Sequence, residues 1–196
     1  MLGVEKKAEI KLQDPRTIKK IMPIDEHVTM TFAGLQADAR VLANKARMEA
    51  QTFRFSMEDV PSVDYIAKYV ARVQQQFTQR SGVRPFGVST FICGFDEGHK
   101  NPRLLLTEPS GSCTLWKAHA IGRNSKNLKT FLEKHYEDEL TEEQTVRLAI
   151  EALLESVESE KHIEISIQRP GAPAELLKSE DVEKIVESIK KEREEN

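Results

Sequence analysis

The segment "FGVSTFICGF" at residues 86–95 constrains the fold more than any other part of the chain. Apolar side chains occupy both of the alternating sets of positions in this run, so a strand made from it presents an apolar surface on each face. Such a strand is stable where both of its faces are covered, in the interior of a sheet. The segment therefore predicts a central strand with further layers of structure on both sides of its sheet.

The order of the other periodic segments decides the fold class. Two short strand patterns, "KIMPID" and "VTMTF", are followed by two helical patterns, one with a buried stripe from Leu35 to Ala50 and one that begins near Pro61. Two further strand patterns, "RLLLT" and "SCTLWKA", follow the central strand. Grouped strands and paired helices are typical of α+β proteins, so we predict antiparallel sheets between helical layers and no βαβ alternation.

The C-terminal half adds two more helices, a strand and a last helix. One helix is predicted around residues 128–132, and the next begins at the capping box Thr141-x-x-Gln144. The alternating segment "HIEISIQ" predicts a strand, and a charged C-terminal helix is expected from about Ser179. Because no repeat or linker interrupts these elements, we interpret residues 1–196 as a single domain.

Charge balance and cysteine content exclude several classes of function. The chain has 29 lysines and arginines against 32 aspartates and glutamates, a net charge of −3, so nucleic acid is not an expected partner. No apolar run is long enough to span a bilayer, and we expect no membrane association. Cys93 and Cys113 lack metal-ligand spacing and are expected to be buried thiols in a reducing compartment. The five histidines never occur at i, i+4 spacing, so we expect neither a metal site nor a cofactor.

The segment "TEPSGSCTLWKAHAIG" raises the question of a nucleophilic serine. A nucleophile elbow requires the pattern Gly-x-Ser-x-Gly between a strand and a helix, and neither Ser110 nor Ser112 has it. Residues 108–111 instead match a type I turn, with proline at the second position and glycine at the fourth. We predict a hairpin turn in which the serines have no catalytic role.

The segment "AIGRNSKNLKTFLEK" allows a second hypothesis, an anion site at the start of a helix. Arg123 and Lys126 lie where free backbone N–H groups are expected. The segment lacks the Gly-x-x-x-x-Gly-Lys spacing of a phosphate loop, so solvated basic residues are the favoured interpretation.

A third hypothesis concerns Glu5 and Lys20, which the strand patterns place at a strand end and a strand start. If these strands were neighbours, an acid and an amine would face each other across a sheet. Such a pair can tune a nucleophile, form an ordinary ion pair, or leave the lysine for an anionic partner. These three interpretations stay open on the residues alone.

Long segments of the chain resemble the α-type subunits of the 20S proteasome. The resemblance covers essentially the whole chain in order and rests on "FAGLQADARVLANKARMEAQ", "FTQRSGVRPFGVSTFICGFD", "TEPSGSCTLWKAHAIGRNSK" and "FLEKHY". Within that family, "KLQDPRT" and the ending "VEKIVESIKKEREEN" favour the fourth position around the eukaryotic ring.

The resemblance implies a four-layer αββα sandwich of antiparallel sheets between helical layers. It also implies a non-catalytic role in a seven-membered α ring, which gates substrate entry to the barrel. The implied partners are the neighbouring α-type subunits, the β-type ring beneath, and the ATPase regulatory particle or other activators. The implied location is the cytoplasm and the nucleus.

The resemblance also gives the pair of Glu5 and Lys20 a sharper meaning. In β-type subunits, an acidic residue and a lysine at these positions assist an N-terminal threonine. The resemblance implies that the strand before Leu2, which would carry the nucleophile, is missing, and the segment "LLESVESEKHIEI" has no Asp-x-x-Ser-Gly pattern. We therefore expect no catalytic residue. The alternatives are a β-type protease subunit without its nucleophile strand and an adaptor that acts outside the barrel.

In α-type rings, the resemblance assigns the lysine a binding role. Lys20 would lie in a pocket for regulator tails and pair with the C-terminal carboxylate of an ATPase subunit, while Gly34 and Leu35 would line the same pocket. The resemblance further implies that a gate segment, a helix and a first strand are missing. We interpret the chain as N-terminally truncated, with an unpaired sheet edge that would make it poorly soluble alone.

Overall fold

A computed structural model of the chain describes residues 1–6, 14, 17–156 and 163–195. Of these, residues 194 and 195 are described by their backbone alone. In these ranges the strands are β1 Leu2–Glu5, β2 Ile21–Asp25, β3 Val28–Gly34, β4 Val88–Phe95, β5 Pro102–Thr107, β6 Cys113–Leu115, β7 Ile163–Ile167 and β8 Glu175–Leu176. The helices are α1 Gln36–Met57, α2 Val63–Gln79, α3 Ser125–His135, α4 Glu142–Leu154 and α5 Ser179–Glu195. Most of the segment "KLQDPRT" lies outside the described residues.

The elements form two compact units. The five-stranded unit comprises Ile21–Lys117 and Gln168–Ala174, and the three-stranded unit comprises Met1–Lys20, Ala118–Ile167 and Glu175–Asn196. Each unit contains one antiparallel sheet and its own helices. The interpretation of residues 1–196 as a single domain stays a prediction.

The five-stranded unit has the strand order β2-β3-β4-β5-β6, with β4 in the middle. Val88 and Ile92 of β4 belong to the hydrophobic core that the sheet shares with α1 and α2. Phe91 and Cys93, on the opposite face of the same strand, are also buried. The prediction of a central strand with two buried faces is therefore confirmed.

Helix α1 packs against this core through a stripe of small side chains. Ala39, Ala43, Ala46 and Ala50 are fully buried. Because an alanine side chain ends at its Cβ atom, the helix backbone approaches the core closely. Leu35, which the sequence placed at the head of the buried stripe, is 53% exposed. The prediction was wrong there because Leu35 is the N-cap residue, and the helical stripe begins only after it.

Helix α2 begins at Val63, two residues later than the sequence predicted. Ser62 is the N-cap residue, and its side-chain oxygen accepts a hydrogen bond from the backbone N–H of Tyr65 at 3.1 Å. The carbonyl oxygen of Pro61 lies 2.7 Å from Nε2 of His27. Because a serine side chain can satisfy a free N–H group of the first turn, the helix starts after Ser62 and Pro61 precedes it.

The three-stranded unit has the strand order β1-β7-β8. Its core combines residues of α4, β7 and α5: Val146, Ile150, Ile163, Ile165, Ile167, Val182, Val186 and Ile189. The capping box at the start of α4 is confirmed, because Thr141 and Gln144 each accept a hydrogen bond from the other's backbone N–H. Helix α5 begins at Ser179, as predicted.

The predicted α+β class is confirmed, with the two helix-bearing antiparallel sheets that an αββα sandwich requires. In the described ranges, no helix is long and apolar enough to cross a membrane.

Candidate functional site

The predicted binding residues Gly34 and Leu35 form the junction between β3 and α1. Gly34 is the last residue of β3 and has a φ of +128°, a conformation that favours glycine. A Cβ atom at this position would also lie 2.3 Å from the carbonyl oxygen of Gly87. Both the backbone angle and the close approach of Gly87 therefore require a residue without a side chain at position 34.

Gly87 also holds Leu35 in place. The backbone N–H of Leu35 donates a hydrogen bond to the carbonyl oxygen of Gly87 at 2.9 Å. A Cβ atom at Gly87 would lie 2.9 Å from Cδ1 of Leu35, so the leucine side chain passes directly over the glycine. The exposed leucine is thus fixed by a backbone hydrogen bond on one side and by van der Waals contact on the other.

A buried carboxylate links this junction to the segment that carries Gly87. Asp38, in the first turn of α1, accepts hydrogen bonds from Nη1 and Nη2 of Arg84 at 2.6 and 2.8 Å. Its Oδ2 atom also accepts a hydrogen bond from the backbone N–H of Gly87 at 2.9 Å. The junction of β3 and α1 is therefore joined to residues 84–87 through both the Leu35 backbone and the Asp38 side chain.

The electrostatics of this cluster favour its charged form. The hydrogen bond from Arg84 and, next, that from the Gly87 backbone lower the pKa of Asp38 to about 2, against a smaller opposing effect of burial. The hydrogen bond to Asp38 raises the pKa of Arg84. Asp38 also lies in the first turn of α1, where the helix dipole stabilises a negative charge.

Lys20, the third predicted pocket residue, directly precedes β2 and is half-buried. It is grouped with the three-stranded unit, whereas Gly34 and Leu35 belong to the five-stranded unit. The pocket that would combine the three residues therefore stays a prediction.

The hypothesis that Glu5 and Lys20 face each other on neighbouring strands of one sheet is wrong. Glu5 ends β1, where it lies opposite Ile163 of β7 in the three-stranded sheet. Lys20 precedes β2, which is a strand of the five-stranded sheet. Strand patterns predict where strands lie along the chain, but they do not show which strands become neighbours in a sheet. The strands near Glu5 and Lys20 were assumed to be neighbours for that reason.

The serine-rich segment forms the predicted hairpin between β5 and β6. The backbone N–H of Gly111 donates to the carbonyl oxygen of Glu108 at 2.8 Å, and Glu108 N–H donates to the carbonyl oxygen of Ser112 at 3.1 Å. The first of these bonds closes a four-residue β-turn. Ser110 and Ser112 are turn residues without a neighbouring histidine among the contacts found for them.

The remaining candidates for chemistry do not form a site. Arg123 precedes α3 and Lys126 lies in its first turn, and both side chains are exposed, in agreement with solvated basic residues. Cys93 is buried, and burial raises the pKa of its thiol to about 11. Cys113, which we expected to be buried, is only half-buried because β6 is an edge strand of its sheet. Over the described ranges, no three His, Cys, Asp or Glu side chains are placed to hold a metal ion.

Asp38, Arg84 and Gly87 were missed as candidate residues. A usable signal was present: the first turn of α1 contains Asp38, while its N-cap residue is a leucine that cannot cap with its side chain. An acidic residue in such a turn often has a partner elsewhere, but the sequence did not indicate Arg84 as that partner.

Two comparisons with known proteins bear on this fold and site. The family model described as "Proteasome subunit" matches residues 1–167. "Proteasome subunit alpha type-7" of Dictyostelium discoideum is 53% identical over 195 residues, which are 99% of this chain and 77% of that protein. "Proteasome subunit alpha type-7" of Solanum lycopersicum is 48% identical over 194 residues, 98% of this chain and 74% of that protein. "Proteasome subunit alpha type-7-like" of Macaca fascicularis is 48% identical over 198 residues, 100% of this chain and 79% of that protein.

These matches favour the α-type interpretation over the β-type alternative, because the relatives are α-type subunits along nearly the whole chain. The chain belongs to the proteasome subunit family, in which it is a non-catalytic α-type subunit that assembles with other subunits in the α ring of the 20S particle.

Proposed function

We propose that this subunit occupies the fourth position of the seven-membered α ring, where it contributes to the substrate gate and docks the C-terminal tails of an ATPase regulatory particle in ubiquitin-dependent degradation. The position is supported by the resemblance of its segments and by the alpha type-7 names of its relatives. We further propose that it acts in the cytoplasm and the nucleus. The β-type ring beneath and other activators complete its proposed partners.

The observation that carries the docking proposal is the exposed and fixed side chain of Leu35. Leu35, the residue before α1, is 53% exposed. Its backbone N–H donates a hydrogen bond to Gly87, and its side chain lies over the same glycine. An exposed apolar side chain that rests on a glycine backbone suits a partner that covers it, because contact on one side already restricts its conformations before binding.

Lys20 supplies the second part of the proposed recognition. A lysine ammonium group is a compact positive charge with three donors, which suits the terminal carboxylate of a peptide. A charge-assisted hydrogen bond of this kind contributes about 1.5–3 kcal/mol. Leu35 and Gly34 would contact the apolar part of the tail, and Lys20 would select its free C-terminus.

The change Lys20→Ala tests this division of roles. Particles would be purified from cells in which the gene carries the substitution, and a photo-reactive tail peptide with a free carboxylate would be titrated onto them. Crosslinking to this chain reports the occupancy of its own pocket. We expect binding to be about tenfold weaker than in wild type, because the charged partner of the carboxylate is lost.

The neighbouring exposed lysine provides the control, since Lys19→Ala removes the same charge one residue away. Lys19→Ala particles should bind the peptide as wild type does, and the same peptide with an amidated C-terminus should not distinguish Lys20→Ala from wild type. Equal affinity of wild-type and Lys20→Ala particles for the free carboxylate would refute the docking role.

A further inference from the structure

The short connection between Gly34 and α1 is held from a second segment of the chain. Leu35 has no side-chain cap to offer, and the hydrogen bonds found for its backbone run to Gly87 O and, through its own carbonyl oxygen, to Ala39 N–H. The position of Leu35 therefore depends on where residues 84–87 lie. A shift of Gly87 would move both the acceptor of Leu35 N–H and the surface under the leucine side chain.

The side chain that fixes Gly87 is Asp38, and Arg84 completes the arrangement. The two oxygens of Asp38 accept three hydrogen bonds, two from the Arg84 guanidinium group and one from Gly87 N–H. A bidentate pair between arginine and carboxylate fixes orientation as well as distance, because both groups are planar. Arg84 also donates to the carbonyl oxygen of Pro85 at 3.1 Å, which ties its own side chain to the segment before Gly87.

The two side chains of the pair differ in exposure. The side chain of Arg84 is 64% exposed, whereas that of Asp38 is 11% exposed. Because Arg84 is exposed, its attraction to Asp38 is screened by solvent, and the bidentate geometry adds a fixed orientation to the stabilisation of the buried carboxylate. The group that it positions is the exposed leucine at the start of the same helix.

We propose that Asp38 and Arg84 are positioning residues that hold the Gly34–Leu35 junction, through Gly87, in the conformation that receives the apolar part of a partner's C-terminal tail. This inference rests on the proposed docking function and adds a second group of residues to it. The pair does not touch the tail carboxylate in this account, which is the role proposed for Lys20.

The two roles are separable because they affect different parts of the peptide. The tail peptide would be titrated in its free-carboxylate and amidated forms onto wild-type, Arg84→Met and Lys20→Ala particles. Arg84→Met should weaken both forms by the same factor of about three to five, a loss typical of an exposed but bidentate pair, and leave the ratio of the two affinities unchanged. Lys20→Ala should reduce that ratio towards one.

The control is Arg72→Met, the same substitution at an exposed arginine of α2. It should bind both peptides as wild type does. If Arg84→Met particles bind both peptides with wild-type affinity, the role of Arg84 is purely structural and the inference is overturned, whether or not the unfolding temperature falls. The result for Lys20 would not be affected. Retention of the carboxylate preference by Lys20→Ala particles would instead overturn the docking proposal and this inference with it.

If Arg84→Met particles do not assemble, two milder variants test the positioning role. Arg84→Lys retains a positive charge without the planar fork, and Asp38→Asn retains an acceptor for Gly87 N–H. Both should weaken the two peptide forms equally, by about twofold to threefold. Unchanged binding by both variants would contradict the positioning role.

Discussion

At the scale of residues, Asp38 shows how a buried charge fixes the backbone at a junction between a strand and a helix. Its carboxylate is removed from water at the start of a helix, which is unfavourable unless the group is paired and hydrogen-bonded. Three donors compensate for the lost hydration, and all come from the segment that ends at Gly87. The requirement to satisfy one carboxylate therefore also fixes the backbone against which Leu35 rests.

The lowered pKa of Asp38 predicts a pH dependence of stability. Because its pKa is about 2 in the folded chain and 3.8 in the unfolded reference, the ionised group stabilises the fold above about pH 4, and this contribution is lost as the pH falls towards 2. The free energies of unfolding of wild type and Asp38→Asn should differ by about 1–2 kcal/mol near pH 6 and converge near pH 2.

Urea unfolding of the full chain, followed by the fluorescence of its single tryptophan, measures this difference. The contribution is discounted for the exposure of Arg84, whose charge is screened by solvent. A difference between the two proteins that stays constant from pH 6 to pH 2 would show that the ionisation of Asp38 does not stabilise the fold.

The residues of this cluster also show the limit of sequence reasoning. The resemblance directed attention to Gly34 and Leu35, but periodicity placed Leu35 in the core. Asp38 and Arg84 are 46 residues apart in the chain, and nothing in local spacing joins them. Their contact depends on the pairing of β3 with β4, which brings Gly34 opposite Val88. Such a contact follows from the register of the strands in the sheet, and a single sequence interpreted by itself does not specify that register.

At the scale of elements, the start of α4 illustrates a feature that local sequence does specify. Thr141 and Gln144 satisfy each other's backbone N–H groups within four residues, so no distant partner is needed. The same locality explains why the hairpin at residues 108–111 and the two buried faces of β4 were predicted correctly. The start of α2 was misplaced by two residues because proline and serine are both compatible with a helix start.

The substitution Thr141→Ala should destabilise the three-stranded unit by about 1 kcal/mol, because the backbone N–H of Gln144 loses its acceptor. The comparison is Thr130→Ala in the middle of α3, where the hydroxyl group bonds to the carbonyl oxygen of Lys126 and alanine is a better helix former. That control should be neutral or slightly stabilising in the same urea titration. Equal effects of the two substitutions would argue against a capping contribution.

At the scale of the whole molecule, the chain is a non-catalytic subunit of a protease complex. The strands that carry Glu5 and follow Lys20 belong to different sheets, so the described structure does not place the two across one sheet as a catalytic pair. Membership of the family and the α-type relatives assign the chain to the α ring. The surface used for partners then determines its function, and the Gly34–Leu35 junction is the part of its surface for which we propose a partner, the C-terminal tail of a regulatory ATPase.

Native mass spectrometry of particles isolated through a tag on this chain tests whether it occupies the α ring. We expect the tagged chain to be released from intact particles that also contain the other α-type chains and the β-type chains, as one member of the α ring. Recovery of the tagged chain alone, or in a β-type position of the particle, would contradict the assignment.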